Sequence, residues 1–160
     1  MATNAEQAIE VFQKYIGADE GTGDWHQVTQ GQINLFADAT LDHQFIHVDP
    51  EKSAQLSPYK VTIAHGFLTL SMVVHLGASI PRIDDEAYKG VVMGVNYGLD
   101  KVRFPNPVKV DSKIRAKRQL AAAELKNPTT IQLKQIVTVE IEGEAKPGCV
   151  AEQLSRLIYS

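Results

Sequence analysis

Apolar positions change rhythm along this chain. Through the first half they recur at helical spacing. Ile9, Val11, Phe12, Tyr15 and Ile16 form one stripe, which Gly17 to Gly23 interrupts. Trp25 to Thr29 reads as a short strand. Thr29-Gln30-Gly31-Gln32 then has the form of a capping box, with Thr29 as N-cap and Gln32 reaching back. Ile33, Phe36 and Ala37 give the buried stripe of the short helix that follows. Thr40 to Asp49 is polar. Asp49-Pro50-Glu51 opens another short helix, because aspartate caps it and proline suits the first helical position.

The segment from His65 to Ile80 breaks the pattern. Phe67, Leu68, Leu70, Met72, Val73, Val74, Leu76 and Ile80 leave no polar face, and a helix apolar all round is a buried helix. Gly66 stands at its start and Pro81 just past its end. Beyond it the signal turns to strands: Val91 to Tyr97, Val102 to Phe104, Lys113 to Leu120, Ile131 to Ile141 and Cys149 to Ile158, parted by Gly, Pro, Asn and Asp. Lys113, Arg115 and Lys117 alternate with Ile114 and Ala116, as a half-exposed strand requires. A sheet wrapped around a central helix satisfies both elements. One packing solution of this kind, though not the only one the pattern allows, is the expected class: α+β, a single hot-dog fold whose antiparallel sheet wraps a long buried central helix.

Length and composition narrow this picture without changing it. The chain has 160 residues, enough for one domain (1–160) with its own core. A net charge of −3 is too mild, and of the wrong sign, for a nucleic-acid partner. One cysteine, Cys149, cannot form an internal disulfide, which suits a reducing compartment. The first residues lack a basic region followed by an apolar run, and no stretch is apolar enough to span a bilayer. The expectation is a cytoplasmic protein with no membrane or nucleic-acid contact.

Candidate chemistry lies in the polar stretch and the turn before the central helix. Asp42 and His47 place a carboxylate and an imidazole in one loop, and such groups serve general acid–base catalysis. For an isolated pair, spacing alone favours a blander role, with Asp42 capping a turn and His47 packed on the core. His65-Gly66 opens the central helix, where free backbone N–H groups can hold an oxygen that gains charge. Spacing equally allows that Gly66 only permits close packing. His43 and His47 lie four apart, with Asp42, Asp49 and His65 nearby. The H-E-x-x-H pattern is absent, so no metal is expected. Ser71 is not in a G-x-S-x-G elbow. Lys101, Arg103, Lys109, Lys113, Arg115, Lys117 and Arg118 suit either the phosphates of a CoA-like ligand or the wet side of a sheet.

Asp42 and His47, with Asp49-Pro50 behind them and Ala64-His65-Gly66 downstream, resemble the MaoC-like dehydratase and (R)-specific enoyl-CoA hydratase family. That family's motif runs roughly Gly-Asp-x-Asn-Pro-Ile-His, followed by His-Gly at the central helix. Asp42 to Pro50, Ile63 to Ser71, Met93 to Gly98, Val102 to Pro105 and Lys146 to Glu152 are similar to a nodulation-protein-N-like subgroup. The resemblance covers about residues 25 to 158. It implies that Asp42 and His47 are the catalytic pair and that Gly66 N–H binds the thioester oxygen. It also implies a dimer with the acyl chain beside the central helix. Gln44, Phe45, His65, Phe67, Asn96 and Tyr97, in the same segments, are expected to contact substrate. The chain departs from the motif at Leu41, Gln44 and Phe45, which replace its glycine, asparagine and proline. Val74 stands where some hydratases carry a serine.

The implied activity is that of a hydro-lyase. It adds or removes water across a 2-enoyl thioester of CoA or an acyl-carrier protein, needs no cofactor beyond that carrier, and works as a homodimer. A hot-dog thioesterase would instead release free thiol. A non-catalytic acyl-thioester-binding module would have no use for both Asp42 and His47.

Overall fold

A computed structural model describes residues 1–160. Helix α1 (Asn4–Gln13) begins with a reciprocal cap: Thr3 Oγ1 accepts the Glu6 N–H, and the Glu6 carboxylate accepts the Thr3 N–H. Its buried stripe is Ala5, Ala8 and Phe12, set against Leu120, Leu133 and Tyr159 in a small second core. Strands β1 (Asp19–Thr22) and β2 (His26–Gln27) follow. Helix α2 (Gln30–Thr40) starts at Thr29, whose hydroxyl accepts the Gln32 N–H as expected. The other half of the expected box is absent. Gln32 turns its side chain away, accepting from His26 Nε2 at 2.9 Å and donating to Met72 Sδ at 3.2 Å. A link from β2 to the central helix has won over a local cap.

Helices α3 (Phe45–Val48) and α4 (Pro50–Leu56) fill the expected polar stretch and the segment after it. Asp49 caps α4 by accepting the Lys52 N–H, with Pro50 in its first turn. The central helix is α5 (Gly66–Ser71) and α6 (Val73–Gly77), joined at Met72, which keeps right-handed helical angles. Leu68, Thr69, Val73 and Leu76 are buried on the sheet. The expectation of burial all round is corrected, because Phe67 is 69% and Val74 59% exposed. A single curved sheet reaches only one side of a helix, so the apolar stripe of Phe67 and Val74 lies open on the isolated chain.

Strands β3 (Val91–Arg103), β4 (Lys113–Asn127), β5 (Thr130–Ile141) and β6 (Cys149–Tyr159) form the antiparallel body. The order is β1-β4-β5-β6-β3, with β2 also on β4. The two segments expected at Val91 to Tyr97 and Val102 to Phe104 are one strand, β3. Its register against β6 shifts between Asn96 and Gly98 and between Leu99 and Val102. Such bulges bend a strand around what it covers. β5 alternates almost perfectly between buried and half-buried positions. The main core joins Ile33, Leu68, Val73 and Leu76 of the helices to Ile114, Val137 and Val139 of the sheet. β3 is an edge, and Val92, Met93, Val95, Tyr97 and Leu99 are exposed along it. No helix is long and apolar enough to cross a membrane.

Helix α2 ends at Leu41, which sits in the left-handed region (φ 66°, ψ 16°) and donates its N–H to Ala37 O. Only glycine adopts this region without a Cβ clash. The strain costs a side-chain-bearing residue about 1–2 kcal/mol, and a glycine's extra unfolded freedom takes back roughly 0.5–1 kcal/mol. Leu41 is 79% exposed, so little packing is lost on its removal. Leu41→Gly should therefore raise the thermal midpoint by about 2 °C. A calorimetric scan showing a lower midpoint would refute the strain.

Candidate active site

Two short segments build the site. One runs from Leu41 through α3. The other, Thr62 to Gly66, leads into α5. They are laced together: Ile63 N–H donates to Ile46 O at 2.9 Å, and Val110 N–H and Ala64 N–H bond the second segment to its neighbour. Gln30 donates to His47 O at 2.7 Å and accepts from the Thr62 hydroxyl. Gln30 and Thr62 thus hold the backbone on which His47 stands.

His47 and His65 are both buried. His47 Nδ1 lies 2.7 Å from Ile63 O, and His65 Nε2 lies 2.9 Å from Asp42 O. A carbonyl only accepts, so each of those nitrogens must carry its hydrogen. His47 is then the Nδ1–H tautomer with a lone pair on Nε2. His65 is the Nε2–H tautomer, and its Nδ1 is buried without a partner. The rings stack with centroids 3.8 Å apart, and Phe36 backs His65 at 4.9 Å. Burial is the main cause that pushes the His47 pKa below its ordinary value of 6.5, and the neighbouring His65 pushes the same way. The Ile63 carbonyl and the Asp42 carboxylate oppose the shift. His47 is thereby a neutral base at neutral pH.

Asp42 is exposed. Its carboxylate accepts the Gln44 N–H at 3.3 Å, so the turn-capping role expected for it is real. The packing role of His47 is real too. Neither accounts for the free His47 Nε2. One ligand atom each from Asp42, His47 and His65 lies within 4.8 Å of the others. These are the residues that could hold a cation. The two rings stack 23° from parallel, and each already commits one nitrogen to a backbone carbonyl. Each ring has one nitrogen left over, and with the Asp42 carboxylate these are groups able to exchange protons. His43 lies outside it, paired with Asp38 at 2.9 Å.

Gly66 adds the third element. The N–H groups of Gly66 and Phe67 donate to nothing in the chain. A Cβ at Gly66 would come within 2.9 Å of the Phe104 ring, so the backbone and that ring touch as only glycine allows. Tyr59, Ile63, Thr69 and Phe104 line the cavity of about 300 Å³ at this point.

The other expected substrate contacts spread further. Gln44 is the exposed N-cap of α3, and Phe45 begins that helix with Lys52 Nζ 5.0 Å from its ring centroid. Phe67 meets Phe104 edge to face at 6.2 Å. Asn96 and Tyr97 do not join the His47 cluster. They lie on β3 and line a groove beside the central helix with Leu70, Ser71 and Val74. Sequence reasoning missed Gln30, Thr62 and Phe104. Gln30 was hidden inside an apparent capping box, and Phe104 inside an expected strand that in fact ends at Arg103.

The model of the MaoC like domain matches residues 11–143. The chain belongs to the MaoC-like domain family. It is 49% identical over 144 residues to 3-hydroxyacyl-thioester dehydratase Z of Mycobacterium tuberculosis, covering 89% of this chain and 90% of that one. It is 45% identical over 141 residues to nodulation protein N of Rhizobium leguminosarum bv. viciae, covering 88% and 84%. Among solved structures, the (R)-hydratase from A. caviae involved in PHA biosynthesis shares the fold, with a TM-score of 0.67, 20% identity and coverage of 88% and 94%. The hot-dog arrangement is thus the MaoC-like one. The left-handed cap at Leu41 explains the glycine of the MaoC-like motif at that position.

His47 carries the pH dependence. Its folded pKa is depressed, so below 6.5 the unfolded chain binds more protons than the folded one. The stability contributed by neutral His47 is present above 6.5 and is lost as pH falls through that value toward the folded pKa. Denaturant titrations should show this decline in the wild type and a smaller one in His47→Gln. Equal declines would remove His47 as its source.

Proposed function

We propose that this chain is a hydro-lyase that adds water to, or removes it from, 2-enoyl and 3-hydroxyacyl thioesters. The observation that carries the reading is buried, neutral His47, whose Nε2 has no partner in the chain, clustered with Asp42 and His65 so that one ligand atom of each lies within 4.8 Å of the others, and followed directly after His65 by the undonated Gly66 N–H. The names of the dehydratase and hydratase relatives support it.

In hydration, His47 Nε2 and Asp42 hold a water between them and take one of its protons. The oxygen attacks C3 of the enoyl group, and the π electrons move onto the thioester oxygen. Gly66 N–H stabilises that developing enolate. The proton then passes to C2, so the elements of water are added and the thioester stays intact. Dehydration runs the same steps backwards. CoA or an acyl-carrier protein is the handle, and no other cofactor takes part.

The reading includes a homodimer. The exposed β3 edge and the open face of α5 and α6 adjoin one another, and an unpaired apolar edge invites a second copy. A monomer at micromolar concentration in sedimentation velocity would contradict this part. A cytosolic location fits the single buried Cys149, whose thiol burial pushes up to about 11.

Asp42→Asn and His47→Ala should each slow hydration of a short enoyl-CoA, followed by loss of its conjugated ultraviolet band, by on the order of 10²-fold or more. Circular dichroism should stay unchanged. The double variant should be little worse than the poorer single one, since the groups act as a unit. Full activity in either single variant would sink the mechanism. Appearance of free thiol in place of hydration would establish hydrolysis.

A further inference from the structure

Two inward rows of the sheet are apolar except at one place each. Along β5 the row is Ile131, Leu133, Gln135, Val137, Val139 and Ile141, and Gln135 is the one polar member. Along β4 it is Ile114, Ala116, Arg118 and Leu120, and Arg118 is the exception. Arg118 pairs across the strands with Val137, so it lies diagonally beside Gln135, and Gln135 stands opposite Gln153 of β6. A polar belt therefore crosses the sheet directly beneath the end of the central helix.

The belt floors a cavity of about 350 Å³ whose roof is Val73, Val74 and Gly77. Gly77 is what leaves the space open, because a Cβ there would lie 3.0 Å from Arg118 Nη1. A purely structural role accounts for part of the belt. Glu20, whose side chain is 1% exposed, accepts from Gln135 Nε2 at 2.7 Å and lies 3.2 Å from Arg118 Nε. It does not account for the rest. The Arg118 contact is too poorly aligned to be a hydrogen bond, and the guanidinium makes none within the chain. Glu20 Oε2 holds the Gln135 amide by its nitrogen, the Gln135 carbonyl oxygen has no partner in the chain, and Glu20 Oε1 is buried without one. A free donor and a free acceptor thus stand side by side in the floor of a largely apolar cavity.

We propose that this belt recognises a hydroxyl group on the far part of the substrate's acyl chain, accepting from Arg118 and donating to the Gln135 carbonyl. Glu20 already balances the charge of Arg118, so a neutral hydroxyl fits and a carboxylate does not. The inference rests on the thioester sitting at Gly66, from which Gly77 is about 16 Å along the helix at 1.5 Å per residue. The groove lined by Leu70, Val74 and Asn96 lies between them, and it shares Val74, Asn96 and Gln153 with the cavity.

The test is equilibrium binding of saturated acyl-CoAs, which cannot react, measured by calorimetry on the wild-type chain. Plain, terminally hydroxylated and terminally carboxylated acyl groups are compared over a series of chain lengths. At one medium length the hydroxylated ligand should bind about tenfold more tightly than the plain one, with the carboxylated ligand weaker than both. The double variant Glu20→Met/Arg118→Leu removes both charges together and should abolish the hydroxyl's advantage. If that variant does not fold, the wild-type series decides alone. Equal or tighter binding of the plain ligand at every length overturns the inference, as does an advantage that survives in the folded double variant. Hydration of a short enoyl-CoA, assayed in parallel, separates the two readings. If hydration occurs without a hydroxyl advantage, only this inference falls. An advantage without hydration overturns the hydro-lyase reading and leaves the binding site standing.

Discussion

Two hydrogen bonds from imidazole to backbone carbonyl set the rest of the site. His47 donates to Ile63 O, and His65 donates to Asp42 O. Each crosses between the Leu41–Val48 segment and the Thr62–Gly66 segment, so the pair works as a double clasp. The clasp also decides protonation, because a carbonyl fixes which nitrogen carries the hydrogen. The same contacts that position His47 therefore leave its Nε2 with a lone pair and no partner in the chain. Gln30 and Thr62 brace the backbone behind it. Buried hydrogen bonds thus hold the His47 ring more tightly than a loop alone would.

The clasp lies at the head of the central helix, and the sheet explains why the helix begins there. Leu68, Val73 and Leu76 fasten one face of the helix to β4, β5 and β6. The opposite face, with the β3 edge next to it, is apolar and uncovered. One chain thus brings Asp42, His47 and His65 together but leaves an apolar face of its central helix uncovered. Under the proposed function, a thioester at Gly66 would lie at the head of the helix, with the groove beside Leu70, Val74 and Asn96 open to its acyl chain.

Much of this was legible in the sequence. The lack of a polar face from Phe67 to Ile80 announced a central helix, and the strand runs after Val91 announced the sheet. The helix's open side was not legible, since an apolar residue reads the same against its own sheet as against a second chain. Asp42, His47 and Gly66 were found as residue types in a resembling motif. Their mutual geometry depends on carbonyls of Ile63 and Asp42, which carry no sequence signal because every residue has one. Gln32 misled because a local cap and a tertiary contact compete for one amide. Leu41 could be read only as a missing glycine until its left-handed backbone showed why glycine belongs there.

The central claim is that backbone carbonyls hold His47 as a neutral base with its proton on Nδ1. Nitrogen-15 chemical shifts of the His47 ring, followed from pH 8 to pH 5 in labelled protein, test it directly. The expected result is an Nδ1–H tautomer at neutral pH, with protonation of Nε2 setting in only below the ordinary histidine range. An Nε2–H tautomer, or an imidazolium already present at neutral pH, would contradict the clasp and the base it creates.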